Sequence, residues 1–260
     1  MKRSVVLLIL ISIVSFAFAQ KKKKGEKEPA KQEQPAVQQP AQQTAQVKET
    51  PKDSVPKVNP FVQHYAMKYA TAVQWSDYDV AKDALYDLIV LNPGNDSLIY
   101  DLAIFYYQNQ KYPSAVMVSQ ELLKRNPKNA GALEIAAVGY ENLGVADKSL
   151  QSYESLYLLN SNSATLYKMA FLQYRLKRYK ECLASADILM AGKDADTMKI
   201  TYNDASDKPK EYSLKVALLN LRGMVAQDQG DKVNAKKFYD QALAISPDFV
   251  LAKENLAKLK

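Results

Sequence analysis

The chain is short of the residues from which reactive sites are usually assembled. Its 260 residues hold one cysteine (Cys182), one histidine (His64), one tryptophan (Trp75) and eight glycines. A single thiol excludes an intramolecular disulfide and a zinc site built on paired thiolates. A single imidazole removes most metal sets and nucleophile–base arrangements. The glycines form no phosphate-cradling loop, and Asp77-Tyr78-Asp79 lacks the further ligands of a calcium loop. The expectation is therefore a protein that is not an enzyme and takes no cofactor, metal or small-molecule substrate. Cys182 reads as a small buried hydrophobe, His64 as an exposed polar residue and Trp75 as a packing residue.

Concentrated charge is also missing where a nucleic-acid binder needs it. The formal net charge is +7, but Lys2 and Arg3 carry two of those charges, and residues 20–57 hold nine lysines against five acidic residues. The remaining 24 basic and 23 acidic residues leave the rest of the chain within one charge of neutral. The basic face expected of a duplex binder is absent, which argues against a nucleic-acid partner.

At the N-terminus, Met1-Lys2-Arg3 is followed by an apolar run from Ser4 to Phe18 and by the small-x-small ending Ala17-Phe18-Ala19. This is the three-part pattern of a secretory signal over residues 1–19, with cleavage expected between Ala19 and Gln20. The run is short of the roughly 20 residues that span a bilayer. No cysteine follows it, so a lipoprotein anchor is excluded. Lys21–Lys24 oppose this reading, because positive charge on that flank hinders translocation. An uncleaved anchor, with the domain outside the membrane or inverted into the cytosol, is the rival. Residues 20–57 have no aromatic side chain, and beyond alanine only Val37, Val47 and Val55 are aliphatic. They predict a disordered Lys/Gln/Pro-rich linker. The lysine run gives either solubility and spacing or attraction to an anionic envelope surface.

What the chain does have is self-similarity. Residues 96–129 and 216–249 match in register: a small residue at the eighth place (Ala103, Gly223), alanine at the twentieth (Ala115, Ala235) and proline at the thirty-second (Pro127, Pro247). Residues 130–162 keep Ala137, Tyr140 and Tyr153 but put Ser149 and Ser161 where alanine and proline are expected. Residues 163–192 keep Leu166, Met169, Ala170, Tyr179, Cys182 and Ala186. The first unit, about 62–95, has Ala81 and Pro93 but bulky Tyr69 at the small place. This pattern resembles the tetratricopeptide repeat (TPR), of 34 residues, in its secreted or periplasmic bacterial form. Five units predict an all-α, right-handed αα-superhelix over residues 58–260, each unit burying its apolar faces against its neighbours. A last helix over 249–260, capped by Asp248, closes the array with Lys253, Glu254 and Lys258 outward. Residues 193–215 interrupt the repeat; Ile200 and Tyr202 alternate with polar neighbours, as do Tyr212 and Leu214. They predict a β-hairpin or long loop protruding from the solenoid, either a tolerated insertion or a partner contact.

The resemblance also implies a binding groove lined by the fifth, ninth and twelfth places of each first helix. These are Tyr100, Ile104 and Tyr107; Glu134, Val138 and Glu141; Tyr167, Phe171 and Tyr174; and Asn220, Met224 and Gln227. The lysine–asparagine clamp that some TPR proteins use for a carboxyl-terminal peptide is missing, since Tyr100 and Ile104 hold its places. An aromatic groove suits an extended or helical apolar segment, unless these rings pack on the chain's own C-terminal helix or a neighbouring unit. The sequence thus points to a scaffold or adaptor of the cell envelope with a protein partner. The alternatives are a surface-binding module acting through its basic tail and a membrane-anchored cytosolic adaptor.

Overall fold

The computed structural model describes residues 59–259. The expected signal segment, the Ala19–Gln20 junction, Lys21–Lys24 and the linker lie outside them. The elements run α1 (Pro60–Gln74), α2 (Tyr78–Leu91), α3 (Asp96–Gln108), α4 (Tyr112–Arg125), α5 (Ala130–Asn142), α6 (Ala146–Asn160), α7 (Ser163–Arg175) and α8 (Tyr179–Ala191). There follow α9 (Asp194–Thr197), β1 (Lys199–Asn203), β2 (Pro209–Ser213), α10 (Leu214–Asp228), α11 (Lys232–Ile245) and α12 (Val250–Ala257). Five helical hairpins, α1–α2, α3–α4, α5–α6, α7–α8 and α10–α11, stack into an α-solenoid at the predicted register.

Local chemistry sets the helix ends. Asn59, Asp77, Asn95, Asn129, Asn162 and Asp231 each accept a first-turn backbone amide on their side-chain oxygen, a cap worth about 1 kcal/mol each. Pro93, Pro127 and Pro247 follow the last residues of α2, α4 and α11, where a helix cannot continue. In the third unit, where Ser161 replaces that pattern, the serine ends α6 in a left-handed conformation, φ 48°. The turn inside every unit also holds one left-handed residue: Ser76, Gln110, Gly144, Lys177 and Gly230. Glycine fills two of these five, and the other three accept the steric cost.

Packing explains the small places. Ala103, Ala115, Ala137, Ala170, Cys182 and Ala235 are fully buried at the helix crossings. A Cβ on Gly223 would lie 2.3 Å from Cε1 of Tyr239, so only glycine fits beneath that ring. Ser149 is fully buried and donates from Oγ to the Ala137 carbonyl at 2.8 Å, which satisfies a hydroxyl that alanine would not carry. Tyr69 at its small place is half-buried and leans towards α3, where burial and then the Asp101 charge raise its phenol pKa. The largest apolar cluster runs from α5 to α12, while smaller ones tie α3, α4 and α5.

The insertion forms the predicted hairpin, antiparallel with Ile200 opposite Tyr212 and Tyr202 opposite Lys210. Asp204 organises its turn by accepting the amides of Ser206 at 2.7 Å and Lys208 at 3.0 Å. The hairpin does not protrude freely, however. Ile200, Tyr202 and Tyr212 are buried in the main cluster, and Leu214, read as strand, opens α10 instead. The one-turn helix α9 was not anticipated. Tyr202 and Tyr212 enclose Phe249, with ring centroids 5.3 and 4.7 Å from it. Nor does Asp248 cap α12: Phe249 holds that position without a side-chain cap, and the Asp248 carboxylate instead takes Lys210 Nζ and the Tyr212 hydroxyl. The hairpin's lysine competes for that carboxylate and wins it, so the hairpin is tied to the turn before α12.

Candidate groove on the first helices

From α3 to α10, the ninth and twelfth places of the first helices make a consistent series. On α3, Tyr100, Ile104 and Tyr107 are half-buried. Tyr100 lies across Gly131 of α5, where a Cβ would come within 2.3 Å of the tyrosine Oη. Any larger residue at 131 would displace this ring. Tyr107 meets Tyr112 of α4, with centroids 6.4 Å apart. On α5, Glu134 is exposed, while Val138 and Glu141 are half-buried. Glu141 accepts from the Tyr153 hydroxyl at 3.5 Å and pairs with Lys168 Nζ at 3.5 Å. On α7, Phe171 and Tyr174 are half-buried with centroids 6.4 Å apart, and Tyr174 continues to Tyr179 at 6.2 Å. The Tyr179 hydroxyl donates to Asp228 at 3.1 Å. On α10, Met224 and Gln227 are half-buried, and Gln227 Oε1 accepts from the Tyr239 hydroxyl at 2.8 Å.

Burial, with neighbouring carboxylates behind it, raises these phenols further above an ordinary value at which they are already neutral near pH 7. Burial, then the neighbouring carboxylates Glu134 and Asp101, raise Tyr100. Burial, then Tyr112, Glu134 and Glu141, raise Tyr107. Burial, then the nearby Asp228 carboxylate, hold Tyr174 well above the ordinary phenol value. Desolvation alone raises Asp101. The face therefore offers apolar rings with neutral hydroxyls, edged by carboxylates and one half-buried cation, Lys168.

Two expected groove residues are inside the protein. Tyr167 is only 5% exposed, and its hydroxyl bonds that of Tyr202 on the hairpin. Asn220 is 3% exposed, and its Oδ1 accepts from Asn255 Nδ2 of α12 at 3.1 Å. In the last two units the fifth place meets the element that follows, the hairpin for α7 and α12 for α10. Of the expected groove rings, Tyr167 alone is buried, against the hairpin, and the accessible row is Tyr100, Ile104, Tyr107, Val138, Glu141, Phe171, Tyr174 and Met224. Sequence reasoning passed over Gly131, Asp101 and Lys168. Only Gly131 carried a signal, a glycine inside a helix, which implies close approach.

Of the isolated residues, His64 is exposed beside Tyr65. Cys182 is enclosed, and burial pushes its thiol up to about 12, as befits a packed hydrophobe. Trp75 is not a packing residue: it is 76% exposed, because it follows α1 and nothing among the described residues lies in front of α1 to cover its ring.

Solved structures place this architecture. A tetratricopeptide repeat protein from Parabacteroides merdae is similar with TM-score 0.59 and 18% identity, over 77% of this chain and 73% of its own. YrrB, described as a TPR protein with an unusual peptide-binding site, is similar with TM-score 0.58 and 13% identity, over 76% and 90%. MamA from Desulfovibrio magneticus is similar with TM-score 0.55 and 10% identity, over 74% and 98%. No family model and no curated protein matches the chain. The fold is that of a TPR solenoid.

Proposed function

We propose that this chain is a non-catalytic scaffold that holds a polypeptide segment along the first helices of its second to fourth repeats. One observation carries the reading: Tyr100, Ile104, Tyr107, Val138, Phe171 and Tyr174 form a row of half-buried apolar side chains that the hairpin and α12 leave uncovered. Rigid aromatic rings with neutral hydroxyls give large contact area at low entropic cost and can bond a peptide backbone. The peptide-binding site named for YrrB, a protein of the same fold, supports this use. The signal pattern over residues 1–19 adds a location, the periplasm or cell exterior, where the partner would belong to an envelope assembly.

Photo-crosslinking tests the groove. With p-benzoylphenylalanine at position 107 or 171, the protein should form a discrete adduct in envelope extracts. The same probe at Val233, exposed on α11, should not. Equal adducts from positions 107 and 233 would remove the reading. N-terminal sequencing of the purified protein tests the location: a start at Gln20 supports export, and retention of Met1 favours an anchor. The four consecutive lysines support a second reading, adhesion to an anionic envelope surface. Deleting Lys21–Lys24 should abolish salt-sensitive co-sedimentation with envelopes under that reading and leave the crosslinks of the first intact.

A further inference from the structure

The groove is not uniform in charge along its length. Helices α3 and α5 carry Asp96, Asp101, Glu134 and Glu141 and no lysine, arginine or histidine. Asp96 pairs with Arg125 at 3.4 Å and Glu141 with Lys168 at 3.5 Å, whereas Asp101 and Glu134 meet no cation among the described residues. Desolvation alone raises Asp101, as it does for a carboxylate that no cation offsets. Both charges act on Tyr100; Asp101 also acts on Tyr69 of α1, and Glu134 on Tyr107 and Tyr153. Glu134, Val138 and Glu141 share one face of α5, as Tyr100, Ile104 and Tyr107 share one face of α3. Half-buried tyrosine rings and carboxylates without counter-ions therefore occupy the same stretch of the groove.

We propose, on the reading that this groove holds a polypeptide, that the segment it takes is cationic as well as apolar. A lysine or arginine of the partner lies over the Tyr100 and Tyr107 rings beside Asp101 and Glu134, and apolar neighbours rest on Ile104, Val138 and Phe171. Charge complementarity selects this occupant. A cation above a tyrosine ring and next to a carboxylate is attracted by both. The chain makes the ring contact within itself, with Lys148 Nζ 5.5 Å from the Tyr140 centroid and Lys210 Nζ 5.8 Å from that of Tyr212. An acidic or phosphorylated segment would set like charge beside two uncompensated carboxylates and is turned away. A neutral apolar segment would cover the same carboxylates without pairing them, which costs more than leaving them in water. Residues 20–57 of this chain have the charge, but no aromatic side chain and only three aliphatic ones beyond alanine to fill the apolar part.

Selection of random peptides displayed on phage against the full chain tests this. Retained peptides that crosslink to p-benzoylphenylalanine at position 171 and not at 233 should be rich in lysine and arginine between apolar residues, and poor in aspartate and glutamate. Their synthetic forms, followed by fluorescence anisotropy, should bind the Asp101→Asn, Glu134→Gln double variant about tenfold more weakly than the parent. Sodium chloride at about 0.5 M should weaken parent binding in the same direction. Both substitutions remove a charge that no cation offsets, so the fold is kept. Glu121→Gln, on the exposed side of α4, should change nothing. Groove-bound peptides that are neutral or acidic would overturn the proposal while the groove reading stands, as would cationic ones indifferent to the double variant. Peptides that avoid position 171, or no retained peptide at all, would overturn both. Replacing the lysines of residues 20–57 by glutamine in the full chain should leave the affinity unchanged. A tenfold gain would overturn the proposal by giving the site to the chain's own lysines.

Discussion

At the C-terminal end of the solenoid, Tyr202, Tyr212 and Phe249 close over one another and Lys210 reaches across to Asp248. At the N-terminal end, Phe61, Met67 and Trp75 stand in solvent. Both ends begin from the same repeat, whose apolar faces need a neighbour. One end carries a hairpin and an extra helix as that neighbour, and the other carries nothing among the described residues. The difference teaches that in a repeat protein the unit sets the architecture while the additions set which surfaces remain available. Stability should be highest where the closure is, and binding should lie towards the open side, since mobile and interacting parts come from the less stable end.

Substitutions can break that contrast. Phe249→Ala should have the largest effect, about 3–5 kcal/mol of lost stability for a fully enclosed aromatic ring, measured by urea unfolding followed by circular dichroism. A loss of less than about 1 kcal/mol would mean that the closure is not the stable part. Tyr202→Phe should cost less, about 1–3 kcal/mol, because it strands the buried Tyr167 hydroxyl without its partner. Acid should weaken the same end selectively. The Lys210 hydrogen bond holds the Asp248 carboxyl below the usual aspartate range. A depressed carboxyl contributes its stability above the unfolded-state value and loses it as pH falls through the folded-state value. Hydrogen exchange should therefore show β1 and β2 amides losing protection in that acid window while α1 amides do not change with them. Trp75→Ser should be nearly silent in dilute protein, within about 0.5 kcal/mol. A larger loss would show that the open end is more tightly built than its exposure indicates.

Most of the fold was legible because the repeat encodes it locally. The small residues at the eighth and twentieth places and the closing prolines act within one unit, and they lie at the helix crossings and after the second helices as their spacing implied. The departures are instructive too. Ser149 kept its crossing by bonding the Ala137 carbonyl, and Ser161 ended α6 by a left-handed turn. The site was legible only in part. Tyr107, Phe171 and Tyr174 took up half-buried positions, but burial of Tyr167 and Asn220 depends on partners 35 residues further along the chain. No repeat periodicity encodes such pairings. Trp75 illustrates the converse: an aromatic residue at a helix end reads as core, yet no neighbour among the described residues covers it.

Phe249 follows the hairpin tyrosines in chain order, and this gives the aromatic closure a timing as well as a place. During synthesis, which proceeds from the N-terminus at about 5–20 residues per second, the first four repeats can stack before α12 exists. The hairpin is then made with its tyrosines uncovered until the chain has passed residue 249. For an interval of seconds the nascent protein displays at its growing end the sticky surface that the finished one conceals. A chain interrupted before Phe249 would keep that surface on view.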